Sequence, residues 1–104
     1  MNAKHEQVPN PWSDDEKYIA ALDEERRLFA WCLITYGGIS AEQANKIAEE
    51  RYEYEPPEDR YRGMIFHDTA WHWAMIYLFG ERYWEARPEF AEPSQEYLAQ
   101  AGKR

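Results

Sequence analysis

Cysteine is nearly missing from this chain of 104 residues, which holds a single one, Cys32. One cysteine cannot form an internal disulfide, which excludes a disulfide-stabilised scaffold and favours a reducing, cytoplasmic compartment. The longest mainly apolar run covers residues 69–79 and includes a histidine, so it is too short for a membrane span. The first twelve residues lack the apolar stretch of a secretory signal, and we expect none.

Basic residues are also scarce, with 12 against 20 acidic ones and a formal net charge of −8. Direct binding to nucleic acid is excluded, because it needs clustered Lys and Arg. Leu, Ile, Val and Phe together number only 16, which in a highly charged chain is typical of disorder. Five Trp and eight Tyr supply the missing apolar area, so we expect a folded core built from aromatic rings.

Strand-forming residues are few, since Val, Ile and Thr total nine whereas Ala and Glu total 28. This balance predicts an all-α fold, a small compact bundle of four or five helices with an aromatic-rich core. We expect a single helical domain over residues 13–104, preceded by a flexible arm over residues 1–12 whose end is pinned by Trp12. No internal repeat or long linker divides the chain.

Capping boxes predict where the first two helices begin. Ser13 with Glu16 opens the first helix, which Gly37-Gly38 ends. Ser40 with Gln43 opens the second, which continues until Pro56-Pro57.

The most apolar helix is predicted over residues 64–79, and its nearly continuous apolar surface suggests that it is the central helix of the bundle. One or two further turns are expected over residues 81–87, closed by Pro88. A last short helix is expected over residues 94–101.

All of the excess negative charge lies in residues 1–59, which hold 14 acids and 6 bases, while residues 60–104 hold 6 of each. The densest stretch is residues 49–59, here called the acidic segment, with six acids against one base. Its candidate partner-binding residues are Glu49, Glu50, Tyr52, Glu53, Tyr54, Glu55, Glu58 and Asp59.

The acidic segment can be interpreted either as a solvated surface that keeps the protein soluble or as a docking surface for a basic partner. Crowded acids of one sign repel each other, which a surface that serves solubility alone avoids by mixing signs. Interleaved tyrosines supply contact area at low entropic cost, and the paired prolines stiffen the segment before binding. These features favour docking, with the acidic field steering a basic partner towards it.

In charge, size and mixture of tyrosines with acids, the chain is similar to the small acidic immunity proteins that neutralise bacterial nuclease toxins. That resemblance implies a non-enzymatic inhibitor that presents carboxylates where a nuclease would bind phosphates. It rests on overall character and not on a motif, so no residue role is carried over. We expect no catalytic residue and no cofactor, and the identity of the partner and the oligomeric state stay open.

His67, Asp68 and His72 form the second candidate site. Asp68 and His72 are four residues apart and share one helix face, and these residue types suit zinc. Two histidines five residues apart lie about 140° apart around a helix, which disfavours a shared metal. The alternative function is therefore a metal- or ligand-binding protein with a site around Asp68 and His72, weighed against an Asp68 that caps the helix or orients His72.

Tyr83 and Trp84, flanked by Arg82 and Arg87, have the composition of an interface hot spot. We prefer the interpretation that Trp84 closes the bottom of the bundle, because so small a core needs its rings. A third functional alternative is a homo-oligomeric structural protein that uses spare aromatic residues at its interface. Cys32 falls in the buried half of the first helix, where it is expected to act as a small hydrophobic residue.

Overall fold

The computed structural model describes residues 10–102 of the chain. In this range no strand occurs, and the predicted all-α fold is confirmed. Short 3₁₀ turns cover Pro11–Ser13, Met64–His67 and Pro88–Phe90. The five α-helices are α1 (Asp15–Gly37), α2 (Ala41–Arg51), α3 (Ala70–Phe79), α4 (Tyr83–Ala86) and α5 (Gln95–Ala101).

Helix α1 begins one residue later than its capping box predicts. Asp14 is the N-cap, and its carboxylate accepts the backbone N–H groups of Glu16 (3.0 Å) and Lys17 (3.3 Å). Ser13 is instead the last residue of the preceding 3₁₀ turn. Gly38, with a φ of 67°, ends the helix in the left-handed conformation that glycine adopts without strain, as predicted.

Helix α2 begins as predicted, because the Ser40 hydroxyl accepts the N–H of Gln43 (3.2 Å). It ends at Arg51, well before Pro56. Tyr52 leaves the helical conformation and turns its ring into the core, where it is fully buried. The helix is therefore ended by the burial of an aromatic residue, and the prolines lie in the loop beyond it.

The helix predicted over residues 64–79 is interrupted. Asp68 is extended, and Thr69 caps α3 by accepting the N–H of His72 through its hydroxyl (3.1 Å). The interruption leaves the carbonyl of Ile65 free to accept the indole N–H of Trp73 at 3.1 Å. Thr69, and not Asp68, is thus the capping residue.

Helix α1 is the centre of the bundle, since α2, α3 and α5 all pack against it. The expectation that residues 64–79 provide the central helix is therefore wrong. The aromatic core is confirmed, because the largest fully buried side chains include Trp71, Tyr18, Tyr52 and Phe29. Every helix within residues 10–102 is too short or too polar to cross a membrane.

Helix α5 has Ser94 as its N-cap and begins at Gln95, one residue after the predicted start, and it lies along α1. The Ser94 hydroxyl accepts the N–H of Tyr97 and is 2.5 Å from the Tyr36 hydroxyl. At the other end, Arg27 of α1 donates to the carbonyl of Gln100 (2.9 Å).

Residues 1–9 of the predicted arm lie outside the described residues. Trp12 is fixed as expected, with its indole edge-on to Phe66 at 5.1 Å between ring centroids. It also lies against Gly63, where a Cβ would overlap the indole ring and the φ of 81° favours glycine. The chain before α1 is thereby tied to the loop before α3.

Candidate protein-binding surface

Tyr52 is the one candidate binding residue that the structure removes from the surface. Its ring packs edge-on against Phe29 at 5.6 Å and stacks on Phe66 at 6.4 Å. Arg26 of α1 donates two hydrogen bonds, of 2.9 and 2.6 Å, to its backbone carbonyl. The prediction that Tyr52 contacts a partner is therefore corrected, because its ring fixes the start of the loop to the core.

Tyr54 lies on the surface, with 49% of the residue exposed. Its hydroxyl donates to a carboxylate oxygen of Asp15 (3.1 Å) and accepts from Arg62 (3.2 Å). Its ring meets Tyr18 edge-on at 5.6 Å. An exposed aromatic ring held in one orientation by hydrogen bonds is well suited to contact another protein.

Two acids of the segment shape its loop. Glu55 is half-buried, and its carboxylate accepts the N–H of Gly63 at 2.8 Å, while its own N–H donates to the Tyr18 hydroxyl at 2.8 Å. Asp59 accepts the N–H of Tyr61 at 2.8 Å within the following turn. Both carboxylates therefore stabilise the conformation of the loop. Because they already accept these hydrogen bonds, they offer less negative charge to a partner than the fully exposed acids do.

The remaining four acids are exposed and point to solvent from α2 and the loop: Glu49, Glu50, Glu53 and Glu58. Within residues 10–102, none of the ion pairs involves an acid of the acidic segment. The nearest base in sequence, Arg51, lies over the ring of Trp73 at 4.4 Å. The negative charge of the segment is thus not neutralised by the arginines of the described chain.

An open cleft of about 450 Å³ lies within the acidic segment. Its lining combines carboxylates, apolar surface and one cation, Arg51, and consists of Glu50, Arg51, Glu53, Tyr54, Glu55, Pro56, Asp59 and Ile65. The apolar stem and the cationic head of a Lys or Arg side chain match the apolar surface and the carboxylates, respectively.

Sequence reasoning missed the residues that hold the acidic segment in place, namely Asp15, Tyr18 and Arg62. Arg62 and Asp15 form an ion pair, and the hydrogen bond from Arg62 holds the pKa of Asp15 below its ordinary value. These residues are 47 positions apart in the sequence, so no local spacing could have related them. The only available signal was an arginine close to an acidic stretch, which does not reveal burial.

The histidine cluster forms a short polar chain at the start of α3. His72 Nδ1 is 3.0 Å from the Tyr83 hydroxyl, and His72 Nε2 is 3.8 Å from a carboxylate oxygen of Asp68. His67 is exposed at the end of the 3₁₀ turn. Throughout the described range, no three His, Cys, Asp or Glu side chains are arranged to hold a metal ion. The Tyr83 hydroxyl is the hydrogen-bond partner of His72, whereas Asp68 at 3.8 Å is beyond hydrogen-bond distance, so its role in orienting His72 stays a prediction.

Trp84 is exposed to 44%, whereas Tyr83 is buried. The preferred interpretation that Trp84 closes the bundle is therefore wrong, and Tyr83 fills that position together with His72. Arg87 lies over the rings of Phe79 (4.7 Å) and Phe90 (5.1 Å).

Cys32 is fully buried, as expected, and burial raises the pKa of its thiol to about 12, so it is not an activated nucleophile.

Comparison of the chain with protein-family models, curated proteins and solved structures finds no match. The chemistry of the surface itself is the available guide to function.

Proposed function

We propose that this chain is a small acidic, non-enzymatic protein that binds a basic protein and inhibits it. The most concrete form is a cytoplasmic immunity protein that neutralises a nuclease toxin. The observation that carries the proposal is the set of exposed carboxylates on the acidic segment that pair with no cation of the described chain, Glu49, Glu50, Glu53 and Glu58.

Unpaired acids of one sign repel each other, and a basic partner would relieve that repulsion. At physiological ionic strength their field reaches roughly 8 Å, enough to orient an approaching protein and raise its association rate. A nuclease binds phosphates with Lys and Arg, so a row of carboxylates fits the same groups and blocks the substrate.

The acidic segment is also held in shape before a partner arrives. Tyr52 is buried at one end, and the Glu55 N–H is bound by Tyr18 in the middle. A surface that is already ordered loses less conformational entropy on binding. Tyr54 adds an aromatic contact beside the charges.

The first test removes charge from the segment while keeping side-chain shape. The variant carries Glu50→Gln, Glu53→Gln and Glu58→Gln. The control carries Glu81→Gln, Glu92→Gln and Glu96→Gln, which are also exposed and change the net charge equally. Wild type and both variants are immobilised and exposed to extract of the native host, and any captured protein is then purified for stopped-flow association at several salt concentrations.

We expect wild type and control to capture the same basic protein and to inhibit its activity. The segment variant should associate about tenfold more slowly at low salt and show a weaker dependence on salt. Equal association rates for the segment variant and the control would contradict the proposal, because the location of the acids would then not matter.

The exposed Trp84 favours one other candidate function, a homo-oligomer that pairs through α4. Arg82, two residues before Trp84, has a side chain that is 74% exposed and pairs with Glu85 at 2.8 Å. In this case sedimentation should show concentration-dependent association that Trp84→Ala abolishes. A monomer at all concentrations would remove this candidate and leave the inhibitor proposal unaffected.

A further inference from the structure

Arg62 is the one charged residue that is buried in the described part of the chain, with 2% of its surface exposed. Burying a guanidinium is unfavourable unless its donors are satisfied. The contacts of Arg62, which follows the acidic segment closely in the sequence, explain how its charge can be buried.

The guanidinium of Arg62 joins three parts of the chain. It donates to the carbonyl of Trp12 (3.0 Å) in the 3₁₀ turn and to the carboxylate of Asp15 at the start of α1. It also donates to the carbonyl of Glu55 (2.8 Å) and the hydroxyl of Tyr54 (3.2 Å) in the acidic segment. Four acceptors around one planar group match the fixed donor geometry of arginine, which the single ammonium of lysine cannot reproduce.

Two tyrosine rings complete the surroundings of this group. The guanidinium carbon lies 4.0 Å from the ring centroid of Tyr18 and 5.5 Å from that of Tyr54. The attraction between a cation and these rings adds to the hydrogen bonds. The Tyr18 hydroxyl in turn accepts the N–H of Glu55. Arg62 therefore supports the acidic segment both directly and through the Tyr18 ring that it covers.

We infer that Arg62 is the positioning residue of the acidic segment, holding residues 53–55 against the start of α1 in the conformation that a basic partner meets. This inference rests on the proposed function for its consequence in binding, but the positioning itself is a property of the free protein. Arg62 contributes no exposed charge to the surface. It acts through Tyr54 and Glu55, whose backbone and ring it fixes.

Loss of Arg62 should release the acidic segment without unfolding the core. Phe29, Trp71 and Met75 are fully buried in the bundle, and none of the hydrogen bonds or ring contacts of Arg62 involves them. Tyr52 and its bond from Arg26 still fix the start of the loop. The expected effect is therefore local opening between Glu53 and Gly63.

The test measures amide hydrogen exchange in the full chain for wild type, Arg62→Met, Arg62→Lys and Arg82→Met. Arg82→Met is the matched control, since it removes one positive charge from an exposed site. In Arg62→Met we expect protection of the Glu55 and Gly63 amides to fall about tenfold, while the Met75 amide of α3 changes less than about twofold. Arg62→Lys should restore only part of the protection, and Arg82→Met should resemble wild type.

The binding consequence is tested by titrating deca-arginine into the same ¹⁵N-labelled proteins. In wild type and Arg82→Met we expect the amide shifts to concentrate on residues 49–59, and in Arg62→Met we expect apparent affinity there to fall about fivefold. Both Met variants lose one positive charge. Loss of a cation beside the acidic segment should by itself strengthen deca-arginine binding, so a lower affinity in Arg62→Met would report the loss of positioning and not the change of charge.

Unchanged protection at Glu55 and Gly63, or an equal loss across all amides, would overturn the positioning role. Deca-arginine shifts in wild type that avoid residues 49–59 would instead count against the proposed function while leaving the exchange result intact. If Arg62→Met does not fold, Arg62→Lys and Asp15→Asn carry the same exchange comparison, with smaller losses confined to the same amides.

Discussion

At the scale of single residues, two buried tyrosines differ in what their hydroxyl groups do. The Tyr18 hydroxyl accepts the N–H of Glu55, whereas the Tyr52 hydroxyl is buried without a hydrogen-bond partner among residues 10–102. Burial raises the pKa of both side chains. Both rings are almost completely buried, so replacement by Phe isolates the contribution of the hydroxyl.

We expect Tyr18→Phe to lower the free energy of unfolding by about 1–2 kcal/mol, because it leaves the Glu55 N–H without its acceptor. Tyr52→Phe should leave stability unchanged or raise it by up to about 1 kcal/mol, because it removes an unpaired buried hydroxyl. Urea denaturation of the two variants and wild type measures both effects. A larger loss for Tyr52→Phe than for Tyr18→Phe would contradict the assignment.

At the scale of helices and loops, the start of α1 depends on one carboxylate. Asp14 binds two free N–H groups of the first turn, and the Ser13 hydroxyl takes no part in this cap. We therefore expect Asp14→Ala to cost about 1 kcal/mol of stability and Ser13→Ala less than about 0.5 kcal/mol. Thermal or urea unfolding of the two variants gives the comparison, and equal losses would mean that the cap is shared.

Local sequence signals were sufficient for most helix boundaries. Gly38, Ser40 and Ser94 act where they were predicted to act, since a cap depends only on neighbouring backbone groups. The interruption at Asp68 could not be predicted in this way. It accompanies the hydrogen bond from the Trp73 indole to Ile65, a tertiary contact that an uninterrupted apolar pattern does not reveal.

The candidate surface was predictable in its charge but not in its geometry. The exposed acids Glu49, Glu50 and Glu53 follow directly from the sequence pattern. The burial of Tyr52 depends on Phe29 and Phe66, which belong to other elements. In the same way, Arg62 becomes significant only when folding brings its distant partners together.

At the scale of the whole molecule, the fold separates an exposed acidic face from an aromatic interior whose one buried charged residue in the described range is Arg62. Burial raises the pKa of several weakly acidic side chains in the interior, among them Cys32 on α1 and Tyr97 on α5. For these two side chains the pKa rises to about 12, from ordinary values of 9.0 and 10.0. Tyr97 also packs against Trp31 and Trp71, so its ionisation would disturb the contact of α5 with the bundle.

We expect the free energy of unfolding to fall as pH rises above about 9. The unfolded chain loses the Cys32 proton near pH 9 and the Tyr97 proton near pH 10, whereas the folded chain keeps both until about pH 12. The folded state therefore binds more protons in this interval, and each group contributes a decrease of about 1.4 kcal/mol per pH unit. Urea denaturation at pH 8, 9, 10 and 11 measures the slope, and tyrosinate absorbance on unfolding identifies the tyrosine contribution. In Cys32→Ala, the free energy of unfolding should change little between pH 9 and 10 and should still fall above pH 10. A constant free energy of unfolding up to pH 11 in wild type would contradict this description of the core.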